Sequence, residues 1–437
     1  MKCRALIEGV NEKSSHVPLL LIWIATLLSV LSVLAFPLLS QADDAPGATV
    51  QGLLEWADAH NPELAAMQYE VDAATARGES AGALADPMLR MELQDIDSNN
   101  PNLLPNKVGA TKYTVLQSFP LWGKRELRRA LAQTGTDEAR GRKLAATAEL
   151  HAQIKAAYAR RFFTLHAYRL TAQLLELMRD LENIAQTRYA NGLAPQQDVI
   201  RAQTEQTAMR IELVALESEQ VQTQARLNAL LSRPALAPLA EPQALRPLPP
   251  PAKLNADDLA QRARNANPRL LTQAAQIQSA GNNERLIVKN RYPDLTVGVS
   301  PVQRGERLDS WELMLEINLP LQQNARRHQE REAEAMLAAA QQREQAAVNQ
   351  VLSELQEAAA GFEAVRRQEQ LLKSTLVPQA GATLDSALAS YQTGKVDFAT
   401  LLDAQRGIRK ARLDQLKAHV ELEMRRSEIE RLLGEDL

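Results

Sequence analysis

The chain has 437 residues, with 50 Lys and Arg against 53 Asp and Glu and a formal net charge of -3. So even a balance leaves no electrostatic footprint for nucleic acid or an anionic surface, and argues against a nucleic-acid partner. Aromatic residues make up 4% while Ala, Leu, Gln, Glu and Arg dominate, the mixture of a chain built mostly from long helices.

At the start, Lys2, Arg4 and Lys13 precede the apolar run "VPLLLIWIATLLSVLSVLAFPLL" from Val17 to Leu39, and Ser40-Gln41-Ala42 follows. Basic residues, an apolar core and small residues at the two positions a signal peptidase reads predict a secretory signal at 1–42. The alternative is a retained anchor helix, since this run could also cross a bilayer. On the first reading Cys3, the only cysteine, is lost, and the exported chain carries neither a disulfide nor a lipid-bearing cysteine.

The exported part falls into two repeats, 43–232 and 253–437. Between them, at 233–252, lies "PALAPLAEPQALRPLPPP", which holds seven of the 21 prolines. Such density excludes a helix interior or a central strand and predicts an extended linker. Each repeat opens with a helix turning at Asn-Pro, in "LLEWADAHNPEL" and "LAQRARNANPRL", with Asn as cap and Pro in the first turn of the next helix. Beyond Pro87 and Pro293 the hydrophobic period changes to two, which predicts strands at about 88–96 and 111–119 and again at about 294–301 and 310–319. Each hairpin has one apolar face.

Each second strand exits through Pro-Leu into a long helix, at about 123–190 and 323–391. Leu174, Leu177, Leu181 and Ile184, and Val348, Val351, Leu355, Ala358, Phe362 and Val365, step by three and four and predict a coiled-coil-like seam. Pro378 falls inside the second rod, where a kink is expected. The rods end in "RYANGLAPQQDVIRAQ" and "SYQTGKVDFATLLDAQ", in which Tyr189, Gly192, Ala202 and Gln203 recur at Tyr391, Gly394, Ala404 and Gln405. Return helices follow at about 195–232 and 396–433.

Two hairpins are too few strands to close a barrel, and an open edge cannot sit in lipid, so a membrane sheet requires other copies of the chain. The alternative is a soluble two-hairpin sheet packed on helices. Other chemistry is scarce. His60, His151, His166, His328 and His419 show no paired spacing, which supports neither a metal site nor a cofactor. "WGKRE" lacks the upstream glycine and the Ser or Thr of a phosphate-binding loop; Trp122, Lys124, Arg125, Arg128 and Arg129 suit a membrane-surface anchor instead. No acid, base and nucleophile cluster points to an enzyme.

The duplicated order of Asn-Pro start, strand-loop-strand, Pro-Leu exit, long helix, Tyr-x-x-Gly turn and Asp-bearing return helix resembles the TolC family of outer-membrane efflux proteins, over about Thr49 to Leu433. The resemblance implies a mainly α fold with a β-barrel part: a homotrimer with a twelve-stranded barrel in the outer-membrane lipid of a Gram-negative cell and a twelve-helix tunnel in the periplasm. It implies the exit duct of a tripartite RND-type system, with a periplasmic adaptor and an inner-membrane pump as partners. Gly192, Leu193 and Gly394 correspond to the adaptor-docking tips, and Asp198, Tyr391 and Asp403 to the gated periplasmic mouth. The family's basic gate position holds Val396 and its first acidic position holds Thr400, with Lys395 and Asp397 beside them as substitutes. Asp198 and Asp403 also fit a plain solvated helix face. The region "DPMLRMELQDIDSNNPNLLP" with "QSFPLWGKRELRR" is more similar to the heavy-metal branch typified by CusC and CzcC than to the multidrug branch; a multidrug or type I secretion channel of the same fold, or a soluble periplasmic coiled-coil adaptor, are the alternatives.

Overall fold

The computed structural model describes residues 46–99 and 101–437; the signal segment expected at 1–42 lies outside them. Helices α1 (Val50–His60) and α2 (Pro62–Ser80) meet at Asn61, whose side chain accepts from the backbone N–H groups of Glu63 and Leu64 while Pro62 takes the first helical position. Strands β1 (Met88–Gln94) and β2 (Ala110–Phe119) follow, then the rod α3 (Lys124–Ala190) and the return helix α4 (Gln196–Leu230). The second repeat runs α5 (Ala256–Ala266), α6 (Pro268–Lys289), β3 (Leu295–Arg304), β4 (Arg307–Ile317), α7 (Gln323–Leu371), a π-helical turn at Leu372–Leu376, α8 (Val377–Gln392) and α9 (Phe398–Leu433). A rod of 67 residues such as α3 is about 100 Å long at 1.5 Å per residue.

The Asn-Pro corners do more than cap. Asn61 Nδ2 donates to the Leu230 carbonyl at 3.1 Å, and Asn267 Nδ2 to the Leu432 carbonyl at 2.7 Å. Each corner thereby satisfies an orphan carbonyl at the end of its own repeat's return helix. Both asparagines are buried.

Helix α3 packs along α2, α4, α6 and α9, and α9 also packs along α7 and α8. The two rods differ. Pro378 has no N–H to give to the preceding turn, and a π turn sits immediately before α8, so the second rod changes its hydrogen-bond pattern where the first stays α-helical. The proline-rich segment between the repeats is extended and lies against the helices. The Tyr158 hydroxyl donates to the carbonyls of Ala48 and Ala244, both at 3.0 Å, and Arg246 from this segment reaches Glu423 at 2.6 Å and Glu430 at 3.0 Å.

All four strands form one antiparallel sheet in the order β1-β2-β3-β4, so the hairpins of the two repeats join through β2 and β3. Among the described residues β1 and β4 are the free edges of this sheet.

Candidate functional site

The strand register sorts the sheet into two faces. Leu89, Val115, Val299 and Leu313 pair in one row across all four strands, with exposures of 72%, 50%, 43% and 69%. Met91, Trp311, Leu315 and Ile317 continue that exposed apolar face. The opposite face is mixed: Arg90, Thr114, Ser300 and Glu312 make a polar row, Ser300 Oγ donates to Thr114 Oγ1 at 2.8 Å and Lys112 pairs with Glu312 at 2.5 Å, while Met88, Leu116, Gly298 and Met314 make an apolar row on the same side. Alternating side chains in register sort the exposed apolar residues to one face, up to the β3–β4 register shift between Val302 and Gln303. Water does not favour such an arrangement, because large contiguous apolar patches mark an interface with lipid or protein. No described helix is long and apolar enough to cross a membrane.

At the base of the sheet, Trp122 and Tyr292 rings lie 5.1 Å apart and Trp122 Nε1 donates to the Pro293 carbonyl at 2.8 Å. Trp122 is half-exposed, as a membrane-surface anchor requires, but Lys124 is buried. Its ammonium donates to the Tyr292 carbonyl and pairs with Asp294, both at 2.8 Å. Lys124 therefore stitches sheet to rod and does not face a headgroup; Arg125 likewise donates inward, to the Gly82 carbonyl at 3.0 Å.

At the far end both rods terminate in the same motif. Gly192 N–H bonds the Tyr189 carbonyl at 2.9 Å and Leu193 N–H the Arg188 carbonyl at 2.8 Å; Gly394 bonds Tyr391 at 3.0 Å and Lys395 bonds Ser390 at 2.8 Å. These are Schellman turns, and the left-handed residue each needs is the glycine, at φ 72° for Gly192 and 76° for Gly394. Beneath them Leu174, Met178, Leu181, Met209, Phe398 and Leu401 form one core shared by both hairpins.

The repeated tyrosines part company here. Tyr189 is 46% exposed and Tyr391 2%. The Tyr391 hydroxyl donates to Asp198 Oδ2 at 3.3 Å, and its ring meets Phe398 edge-on at 5.4 Å between centroids. Burial raises the Asp198 carboxyl above its ordinary value; the Tyr391 bond and the charges of Arg201 and Arg188 oppose this, and Asp397 adds to it. Burial and the neighbouring Asp198 charge push the Tyr391 phenol up to about 12. Of the sequence-derived candidates, Asp198 and Tyr391 are thus brought together. Lys395 and Asp403 are not: both are exposed, and neither side chain forms a hydrogen bond or ion pair among the described residues. Asp397, a candidate substitute for the acidic position, caps α9 by accepting from Thr400 N–H at 2.9 Å. Gly192, Gly394 and Leu193 stand exposed at the turns.

Sequence reasoning missed Arg188. Its guanidinium carbon lies 4.9 Å from the Tyr391 ring centroid, and it bonds both tips. The only signal was a break in the repeat, where Arg188 aligns with Ser390.

A model of the outer membrane efflux protein family matches residues 53–233 and again 259–435. The chain belongs to that family. The double match follows the duplication, and the outer membrane efflux family is one of channels, not enzymes. Among solved structures, the chain is similar to the outer membrane protein VceC of Vibrio cholerae, at 17% identity over 89% of this chain and 96% of that one, with a TM-score of 0.74. A membrane protein of Pseudomonas aeruginosa is 20% identical over 90% and 91%, with a TM-score of 0.74. CusC is 17% identical over 88% and 92%, with a TM-score of 0.71. At these identities the likeness is one of fold. No curated protein sequence matches the chain.

Proposed function

We propose that this outer membrane efflux protein is the exit duct of a tripartite RND-type system, a homotrimer whose three sheets close a twelve-stranded barrel in the outer-membrane lipid above a twelve-helix periplasmic tunnel. The carrying observation is the two-faced sheet with free edges on β1 and β4. In hydrocarbon every edge N–H and C=O needs a partner, and β4 of one copy against β1 of the next supplies it. The exposed residues Ile200, Ile211, Val214 and Val221 on α4 recur at coiled-coil spacing and supply an apolar seam for the adjoining copy.

In this reading residues 1–42 are the export signal, Asp198 and Tyr391 link the two tips at the periplasmic mouth, and Lys395 and Asp403 face neighbouring copies there. Gly192, Leu193 and Gly394 present the docking surface to the adaptor. The proposed cargo is heavy-metal cations. Support comes from the strand-region resemblance and from charge on the mixed face of the sheet. Arg90 lies 3.8 Å from Glu92 and Lys112 pairs with Glu312, while Glu316 has no ion pair among the described residues. Three copies of Glu316 make a carboxylate ring that favours cations. Deleting the gene and challenging cells separately with copper, silver, cobalt, zinc and cadmium salts and with a panel of drugs is the test. Metal sensitivity restored by the wild-type gene is expected. Sensitivity to drugs alone would move the protein to the multidrug branch.

A further inference from the structure

The two tip turns are copies in sequence but not in chemistry, because only the first carries an arginine before its tyrosine. Arg188 Nη1 donates to the Gln392 carbonyl at 2.8 Å, at the end of α8, and Nη2 donates to the Leu193 carbonyl at 3.3 Å, in its own turn. Both acceptors belong to the turn region where helix carbonyls lack an intrahelical donor. Between these two bonds the guanidinium lies over the Tyr391 ring, 4.9 Å from its centroid. A Cβ on Gly394 would stand 3.4 Å from Nη2, an ordinary contact, and one on Gly192 would meet nothing within 4 Å, so the arginine approaches the second tip without displacing it. Both glycines are set by the left-handed turn they make.

We propose that Arg188 is a positioning residue that clamps the two hairpin tips of one protomer together and thereby sets how readily the periplasmic mouth opens. Its effect on opening rests on the channel reading above; the clamp itself does not. A guanidinium suits the task because it offers divergent N–H donors and a flat face for the ring, and an ammonium offers only a point charge. Lys395, the basic residue that sequence places nearest the gate, reaches neither carbonyl and lies in solvent.

The test measures the distance between the tips directly. Spin labels at Asn191→Cys and Thr393→Cys, in a Cys3→Ser background, report it by pulsed electron paramagnetic resonance on full-length protein in detergent, with labelled chains diluted by unlabelled ones. Arg188→Ala and Arg188→Lys should each lengthen the mean distance and broaden its distribution, with Lys395→Ala unchanged. An unchanged distribution in Arg188→Ala overturns the clamp. So does a wild-type distribution in Arg188→Lys, which would leave only a point charge at work, and this variant decides the matter if the alanine protein fails to fold. Thermal unfolding midpoints should stay at the wild-type value, because the shared core below the tips is untouched; a lower midpoint with unmoved tips also overturns the proposal. The same proteins in planar bilayers separate the two readings. Separated tips with no current from wild type or variants would sink the channel and spare the clamp, whereas unmoved tips in a conducting protein would do the reverse.

Discussion

Asp198 shows how one residue's burial becomes a pH response. Its carboxyl is 7% exposed and bonded to Tyr391, and burial raises its pKa above the ordinary 3.8. When the tips separate the carboxylate returns to water and regains that ordinary value, so the joined state holds the proton more tightly. The stabilisation this gives the joined tips is complete below 3.8 and is lost as pH rises through the raised value. Conductance in planar bilayers should therefore fall as pH drops from neutrality into the acid range, and Asp198→Asn should flatten the response. A pH profile unchanged by that substitution would place the titrating group elsewhere. Arg188, Arg201, Asp397 and Tyr391 are the ionisable groups that face it.

At the scale of the element, the strands carry the membrane reading and the rods carry reach. Leu315 and Glu316 are adjacent on β4 and point to opposite faces. On the proposed trimeric barrel, Leu315→Asp would turn a charge toward lipid, at a cost of about 2–4 kcal/mol near the bilayer centre for each of three copies. It should abolish heat-resistant trimers on a gel, while Glu316→Gln, on the mixed face, should leave their yield intact. Equal yields from both would remove the barrel. Among the rods, the π turn at Leu372–Leu376 interrupts the hydrogen-bond ladder of the second hairpin where the first is regular, next to the single Pro378.

Across the whole molecule, the segment joining the repeats acts as a strap. Arg246 enters a buried cluster in which Glu430 also takes Lys155 at 2.7 Å and Arg426 at 2.8 Å, joining the strap to α3 and α9. Glu423 and Glu430 are 4% and 3% exposed. Removing one partner from a buried ion cluster costs about 3–5 kcal/mol because it strands the remaining charge. Arg246→Ala should lower the unfolding midpoint in detergent accordingly, and adding Glu423→Gln should recover part of the loss by removing a stranded carboxylate. Additive losses would mean that the arginine acts through packing alone.

What the sequence determined by itself is whatever depends on short stretches of chain. Asn61 and Asn267 cap because the next residue is proline, Gly192 and Gly394 turn because a left-handed residue is needed there, and alternating side chains give each strand one apolar face. Repetition of these local signals made the duplicated, mostly helical plan legible. Contacts between distant parts of the chain were decided only by the tertiary structure. Asp198 meets Tyr391, and Arg188 meets Gln392, because the tips of both hairpins pack on one shared core. The strap read as an extended linker because its prolines forbid regular structure, but only the fold gives Arg246 and the carbonyl of Ala244 their partners on α9 and α3. Identical tyrosines likewise ended one in solvent and one in the core, since burial depends on what packs against a residue and not on its neighbours in sequence.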